Sequence, residues 1–367
     1  MYLENPEIKD ILNSIENQKF SMEFFALILI GEDAQISLKE LITLLNRKNI
    51  NFAGGVFPKI ISRNKTSMNG VIIKIIPKHT ISIYFDSPGT FTRQIFDFRD
   101  TKFSTAYILT SGISSNNSDD IRLLYTYLGN DVKFLGGGAG RNSGNKEEIL
   151  FSNDGVFQSG TMIILTKTKI TSESVHSWKK LFGPFIATKT DKNLIYEINW
   201  ENAFIVYQRF MKEILDLDID PQNFDQYSLY YPFGIYKESK NHIIRDLIRV
   251  SKEGYLQCAA NVDQNSLIDL MTMERQDLKS IPRKLISESI EKNVKVSDAL
   301  IFNCISRERH LDTDFCIELG QISDEFKNHN IQLDLEGVLS IGEIHSNGEG
   351  YPEILNKSVV LGFSYFD

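Results

Sequence analysis

The sequence predicts an α/β fold with mixed β-sheets (α+β in layout), helices packing on sheets built from a β-α-β-β unit repeated three times. Three features of the chain point to it. Apolar, β-prone runs recur at 24–30 (FFALILI), 105–110 (TAYILT) and 298–304 (DALIFNC), each followed by a polar turn and a stretch with helical apolar spacing. After each helix comes a strand ending in glycine, at 50–57, 132–140 and 333–343. A further apolar strand closes each unit, at 70–77, 160–167 and 358–366.

Taken in order, residues 1–20 read as an amphipathic helix with Ile8, Ile11, Leu12 and Ile15 on one face. The helix is not basic, so its apolar face is expected to pack on the body rather than on a membrane. The first repeat's helix carries the stripe Leu38, Leu41, Ile42, Leu44 and Leu45. The second carries Ile121, Leu124, Tyr125 and Leu128, with Asp119 and Asp120 at its start, where carboxylates favour the helix dipole. Between the second and third repeats, Thr188 to Ile198 alternates around a KTDKN turn and predicts a hairpin. Ala203, Val206, Tyr207, Phe210, Met211 and Ile214 then predict a helix. The acid-, Pro- and Asn-rich stretch DLDIDPQNFDQY (216–227) predicts a solvated link, so a boundary falls near 199–226. The domain organisation expected is a helix over 1–20, an α/β domain over 21–200 and another over 201–367.

The chain has 367 residues, 42% of them hydrophobic and 24% charged, with a net charge of -8, enough apolar material for a substantial core. The absence of a Lys/Arg run argues against nucleic-acid or anionic-membrane partners. The N-terminus lacks the order of a signal peptide, and the run Phe24–Ile30 is far short of the ~20 residues that span a bilayer. Three scattered cysteines, Cys258, Cys304 and Cys316, predict neither a disulfide framework nor a thiolate metal site. The six histidines, His79 among them, show no metal-binding spacing. A reduced, cytoplasmic protein without cofactor or membrane insertion is expected.

Glycine-ended strands can leave backbone N–H groups open to an anion or carboxylate. Gly54, Gly55, Gly136, Gly137, Gly138 and Gly140 therefore mark a candidate binding edge, against the plainer reading that they merely let strands turn. No Walker loop exists, and GGGAGRNSG fails as a dinucleotide fingerprint because Ser143 stands at the third glycine. Arg141 follows the glycine run, Cys304 and Arg307 end a strand in NCISR, and Glu343 and His345 follow the last glycine strand in SIGEIH. A guanidinium clamps a carboxylate and a carboxylate holds an ammonium, so Arg307 and Glu343 could form a zwitterion site, or else a structural ion pair. Cys304 reads as a packed thiol. The alternative, a nucleophile with His310 or His345 as base, lacks a phosphatase-type C-x5-R arrangement, since residue 310 is His.

The C-terminal stretch, DALIFNCISR with LEGVLSIGEIHSNGEGYPEILNKSVVLGFSYF, resembles the C-terminal half of FIST domains, and YPFGIYKESKNHIIRDLIRV with its Arg245-Asp246 pair resembles the opening of that half. SWKKLFGPFIATKTDKNLIYEI looks like the family's junction. The N-terminal half is similar in layout but departs at Gly54-Gly55-Val56-Phe57-Pro58, where many members carry a Gly-Cys-x-Thr-x-Gly-like turn. The resemblance implies a two-part FIST N and FIST C sensory module of signal transduction. It would bind a small, amino-acid-like ligand and act on a separate protein partner. It further implies that Cys304, Arg307, Gly342 and Glu343 belong to the site. A protein-interaction scaffold, or a Cys-dependent hydrolase or acyltransferase, are the alternatives.

Overall fold

A computed structural model of the chain describes residues 1–18, 24–77, 80–87, 90–92, 95, 98, 101–112, 114, 116–142, 147–237, 242–290, 295–346 and 351–365. Ser143, His79 and the Asn-containing stretch 347–350 lie outside these residues.

The chain opens with β1 (Tyr2–Glu4) and a helix, Ile8–Glu16, whose buried Ile11, Leu12 and Ile15 match the predicted face. The first repeat comprises β2 (Phe24–Gly31), the helix Leu38–Arg47, β3 (Asn51–Phe57), a short hairpin of β4 (Lys59–Ser62) and β5 (Lys65–Ser67), and β6 (Gly70–Pro77). After β7 (Ile81–Phe85) the second repeat runs through β8 (Thr105–Ser111), the helix Asn117–Leu128, β9 (Lys133–Ala139), β10 (Leu150–Ser152), β11 (Gly155–Phe157) and β12 (Thr161–Thr166), and β13 (Ile170–Val175) follows. An inserted unit, residues 178–272, holds β14 (Lys179–Ile186), β15 (Lys189–Asp191), β16 (Leu194–Ile198), β17 (Glu201–Asn202), β18 (Phe233–Ile235), β19 (Ile243–Arg245), β20 (Leu247–Val250), β21 (Leu256–Cys258) and β22 (Leu267–Thr272), with the helices Ala203–Leu215 and Phe224–Ser228. The third repeat is β23 (Val296–Cys304), the helices Ile305–Leu311 and Thr313–Asn328, β24 (Glu336–Ser340), β25 (Glu343–Ser346), β26 (Glu353–Leu355) and β27 (Val359–Tyr365).

In each repeat the first two strands pair in parallel and the last pairs antiparallel with the first. The register is the same three times: Ile28 stands opposite Gly54, Ile108 opposite Gly136, and Ile301 opposite Gly337. The β-α-β-β reading omits one piece, the hairpin between the second and last strands. That hairpin leaves its own repeat and completes another's sheet. β4–β5 joins β24, β10–β11 joins β3, and β25–β26 joins β9, a cyclic exchange with pseudo-threefold symmetry. The stretch 333–343, predicted as one strand, is accordingly broken at Ile341–Gly342, where Gly342 takes φ 87° and the chain changes sheet.

Strand alternation builds the core. Leu27 and Leu29, Tyr107 and Leu109, and Leu300 and Phe302 face inward to one shared cluster. Ile28, Ile108 and Ile301 face outward against their own helices, through Leu41, Ile121 and Phe315. The inserted unit has its own core, where the predicted helix contributes Phe204, Tyr207 and Phe210, its first turn capped by Asn202 through the N–H groups of Phe204 and Ile205. Strands from both sides of residue 200 share sheets, so the expected boundary there separates sequence, not cores: β14 pairs with β22 and β13 with β27. Among the described residues no helix is long and apolar enough to cross a membrane.

Candidate functional site

The three parallel strand pairs end on one side of the body, where the chain must leave each sheet. A cavity of about 920 Å³ opens there. Pro58 follows β3, Gly112 follows β8 and Gly140 follows β9. Cys304 ends β23 and Ile341 follows β24, and all five line the cavity. Asp246, Ile248 and Gln257 of the inserted unit form the facing wall. Carboxyl ends of strands are where α/β sheets commonly take ligands, because loops there project side chains into space the sheet leaves open.

The polar groups of the cavity are already organised. Asp246 accepts hydrogen bonds from Lys357 Nζ at 3.0 Å and from Ser306 Oγ. At the rim Arg141 pairs through Nε with Glu147 at 2.9 Å, and Arg309 donates to Asn142 Oδ1. The Cys304 thiol lies against Glu343, whose carboxyl also accepts Ser340 Oγ at 2.9 Å and Ser358 Oγ at 2.8 Å. Burial pushes the Glu343 pKa up to about 8. Burial, and then the Glu343 charge, push the Cys304 thiol up as well. Near neutral pH both groups keep their protons, which is the reverse of what a nucleophilic thiolate requires.

Several predicted site residues stand elsewhere. Gly54 and Gly55 lie inside β3 between β2 and β10, and a Cβ on Gly54 would fall 2.0 Å from Ile28 O. Gly136 and Gly137 lie likewise between β8 and β25, and Gly138 donates its N–H to Gly342 O at 2.8 Å. These glycines permit close strand contact; they do not offer free N–H groups. Arg307 turns away from the cavity into the helical layer. Its Nη2 binds Glu318 at 2.7 and 2.6 Å and its Nε reaches Asn303 Oδ1 at 3.1 Å. Glu343 is fully buried behind Cys304, so the Arg307–Glu343 zwitterion site does not form. His345 is buried opposite Leu135, and burial drives its ring down to about 4. Arg141, Cys304, Gly342 and Gly140 do line the cavity. Asp246, Ser306 and Asn356 line it without having been predicted; the Arg245-Asp246 pair was their one signal in the sequence.

The FIST N domain matches residues 7–201, and the FIST C domain matches residues 203–346. The chain belongs to the FIST family. FIST domains are sensory domains of signal transduction and of a non-enzymatic type. No curated protein matches the chain. In this FIST protein the cavity draws its wall from both matched regions, Gly140 and Arg141 from the first and Asp246 and Cys304 from the second.

Proposed function

We propose that this FIST protein is a sensor whose ligand, a small amino-acid-like molecule, occupies the 920 Å³ cavity and whose response is passed to a separate signalling protein. The observation that carries the reading is the cavity's construction from all three repeats and the inserted unit, so that one small molecule would bridge them. Arg141 at the rim offers a guanidinium to a carboxylate, and Asp246 on the facing wall offers a carboxylate to an ammonium. A ligand that binds one arrangement of these walls better than another shifts the population between them, which is all that signalling requires. We assign no catalysis, because the one thiol on the wall is held protonated.

A thermal-shift screen against the free amino acids, small carboxylates and amines tests this. An amino acid at about 100 times its Kd adds ~2.7 kcal/mol of stability, a rise of several degrees in Tm. Arg141→Ala and Asp246→Asn should each abolish the rise. A panel in which no amino acid stabilises the protein, or a rise unchanged in both variants, would overturn the assignment.

A further inference from the structure

Residues 245–246 of the inserted unit grip β26 and the link from it to β27 in the third repeat. Arg245 is buried and donates from Nη1 to Ile354 O at 2.9 Å and from Nε to Asn261 O at 2.8 Å. Asp246 binds Lys357 at 3.0 Å, and its own N–H reaches Asn356 Oδ1 at 3.4 Å. Lys357 is fully buried at φ 53°, a left-handed conformation that lysine seldom adopts. Its ammonium also donates to Leu229 O at 2.9 Å and sits 5.3 Å from the centre of the Trp178 ring. One end of this contact, Asp246 and Asn356, lines the cavity, and the other, Leu229 and Trp178, lies within the inserted unit.

We infer that Asp246 and Lys357 form a latch through which a protonated amine in the cavity is reported to the inserted unit. The inference rests on the sensor reading of the cavity. Among the described residues each carboxylate oxygen of Asp246 has one protein donor, Lys357 on one and Ser306 on the other, and can accept a second. An amine reaching it from the cavity places a second positive charge beside Lys357, where the protein screens charge poorly. The hold on Lys357 weakens, and a buried lysine that loses its carboxylate does not stay where it is. Leu229 and Trp178 must then rearrange with it. An anionic occupant meets the charge of Asp246 and gains nothing there.

Trp178 and Trp200 are the two tryptophans, so in a Trp200→Phe background the emission of Trp178 reads the Lys357 contact. Ser306→Ala removes a partner of Asp246 from the cavity side alone. The latch predicts that it shifts Trp178 emission and that the shift is lost when Lys357→Met is already present; Lys357→Gln serves if Lys357→Met does not fold. A shift that persists without Lys357, or no shift at all, would overturn the latch. In the full-length protein, methylammonium chloride supplies the cationic group alone. A probe of two heavy atoms binds no tighter than about 10 mM, so it is titrated to about 100 mM at constant ionic strength, with sodium acetate as the anionic control. Methylammonium should move the emission, acetate should not, and Asp246→Asn should abolish the response. A response to acetate, an undiminished response in Asp246→Asn, or silence towards methylammonium each sinks the amine assignment. A protein that an amino acid stabilises but that fails these tests loses the latch and keeps the sensor reading. One that no amino acid stabilises loses the sensor reading itself.

Discussion

Position 343 has two counterparts in the same molecule. Glu343 pairs with Gly137 as Leu150 pairs with Gly55 and Ile60 with Val338. Leu150 and Ile60 are core residues, so the fold does not demand a carboxyl at the third place. Burial raises this carboxyl from 4.5 to about 8. Between those values the folded protein keeps a proton that the unfolded chain gives up, so stability falls as pH rises through the window, by up to about 1.4 kcal/mol per pH unit. Glu343→Gln cannot ionise. Urea unfolding should show wild type losing stability relative to the variant as pH rises from 4.5 to about 8, and a gap that does not change with pH would refute the buried proton. Acid acts in the opposite sense on His176, His310 and His345, whose rings burial drives from 6.5 to about 4. The unfolded chain takes up protons in that range that the folded one refuses, so stability should also fall as pH drops through it. Which way such side chains face was the part that the sequence left open. Cys304 and Arg307 sit three residues apart at a strand-to-helix turn, and that spacing does not reveal that the thiol lines the cavity while the guanidinium turns to Glu318.

At the scale of elements the three-fold recurrence was legible because strand and helix periods survive residue change. The exchanged hairpins were not, since strands of three or four residues are too short to show alternation, and their pairing depends on chain far away in sequence. Glycine was read as an open edge, whereas its place is inside the strand. A Cβ would fall 2.0 Å from Ile28 O at Gly54, 1.9 Å from Ile108 O at Gly136, and 1.8 Å from Ile301 O at Gly337. The nearest atom in each case is a backbone carbonyl of the paired strand, which cannot swing aside as a flexible side chain would, so Gly136→Ala or Gly337→Ala should cost about 3 kcal/mol or more. Gly320 is the control. It lies within the helix Thr313–Asn328, and a Cβ there would meet only Asn64 Cβ at 3.8 Å. Gly320→Ala should therefore stabilise by roughly 0.5–1 kcal/mol. Equal effects from the strand and helix substitutions, measured by urea unfolding, would refute the close-approach account.

For the whole molecule the exchange decides what can fold alone. The first sheet is built entirely before residue 200, but the second needs β25 and β26, and the third joins β13, β4 and β5 to strands from after it. The shared core has the same dependence: Leu300, Phe302, Val338 and Val360 close it against Leu27, Tyr107 and Leu135. A chain ending at 201 would expose those inward faces and leave the β4–β5 hairpin without β24 and β13 without β27. A chain beginning at 203 would lack β14 to β17, and β24 would lose β4, its antiparallel partner. Each fragment therefore keeps the entropy cost of ordering its strands while losing much of the apolar burial that offsets it. Residues 1–201 and 203–367, expressed apart, should show no cooperative thermal transition by circular dichroism, and the two expressed together should recover one. A fragment 1–201 that melted cooperatively near the Tm of the intact chain would mean that the third repeat and the rest of the inserted unit add to a finished domain. Recovery only of the pair would mean that the cavity exists only when the strand exchange is complete, because its wall takes Gly140 from one fragment and Asp246 and Cys304 from the other.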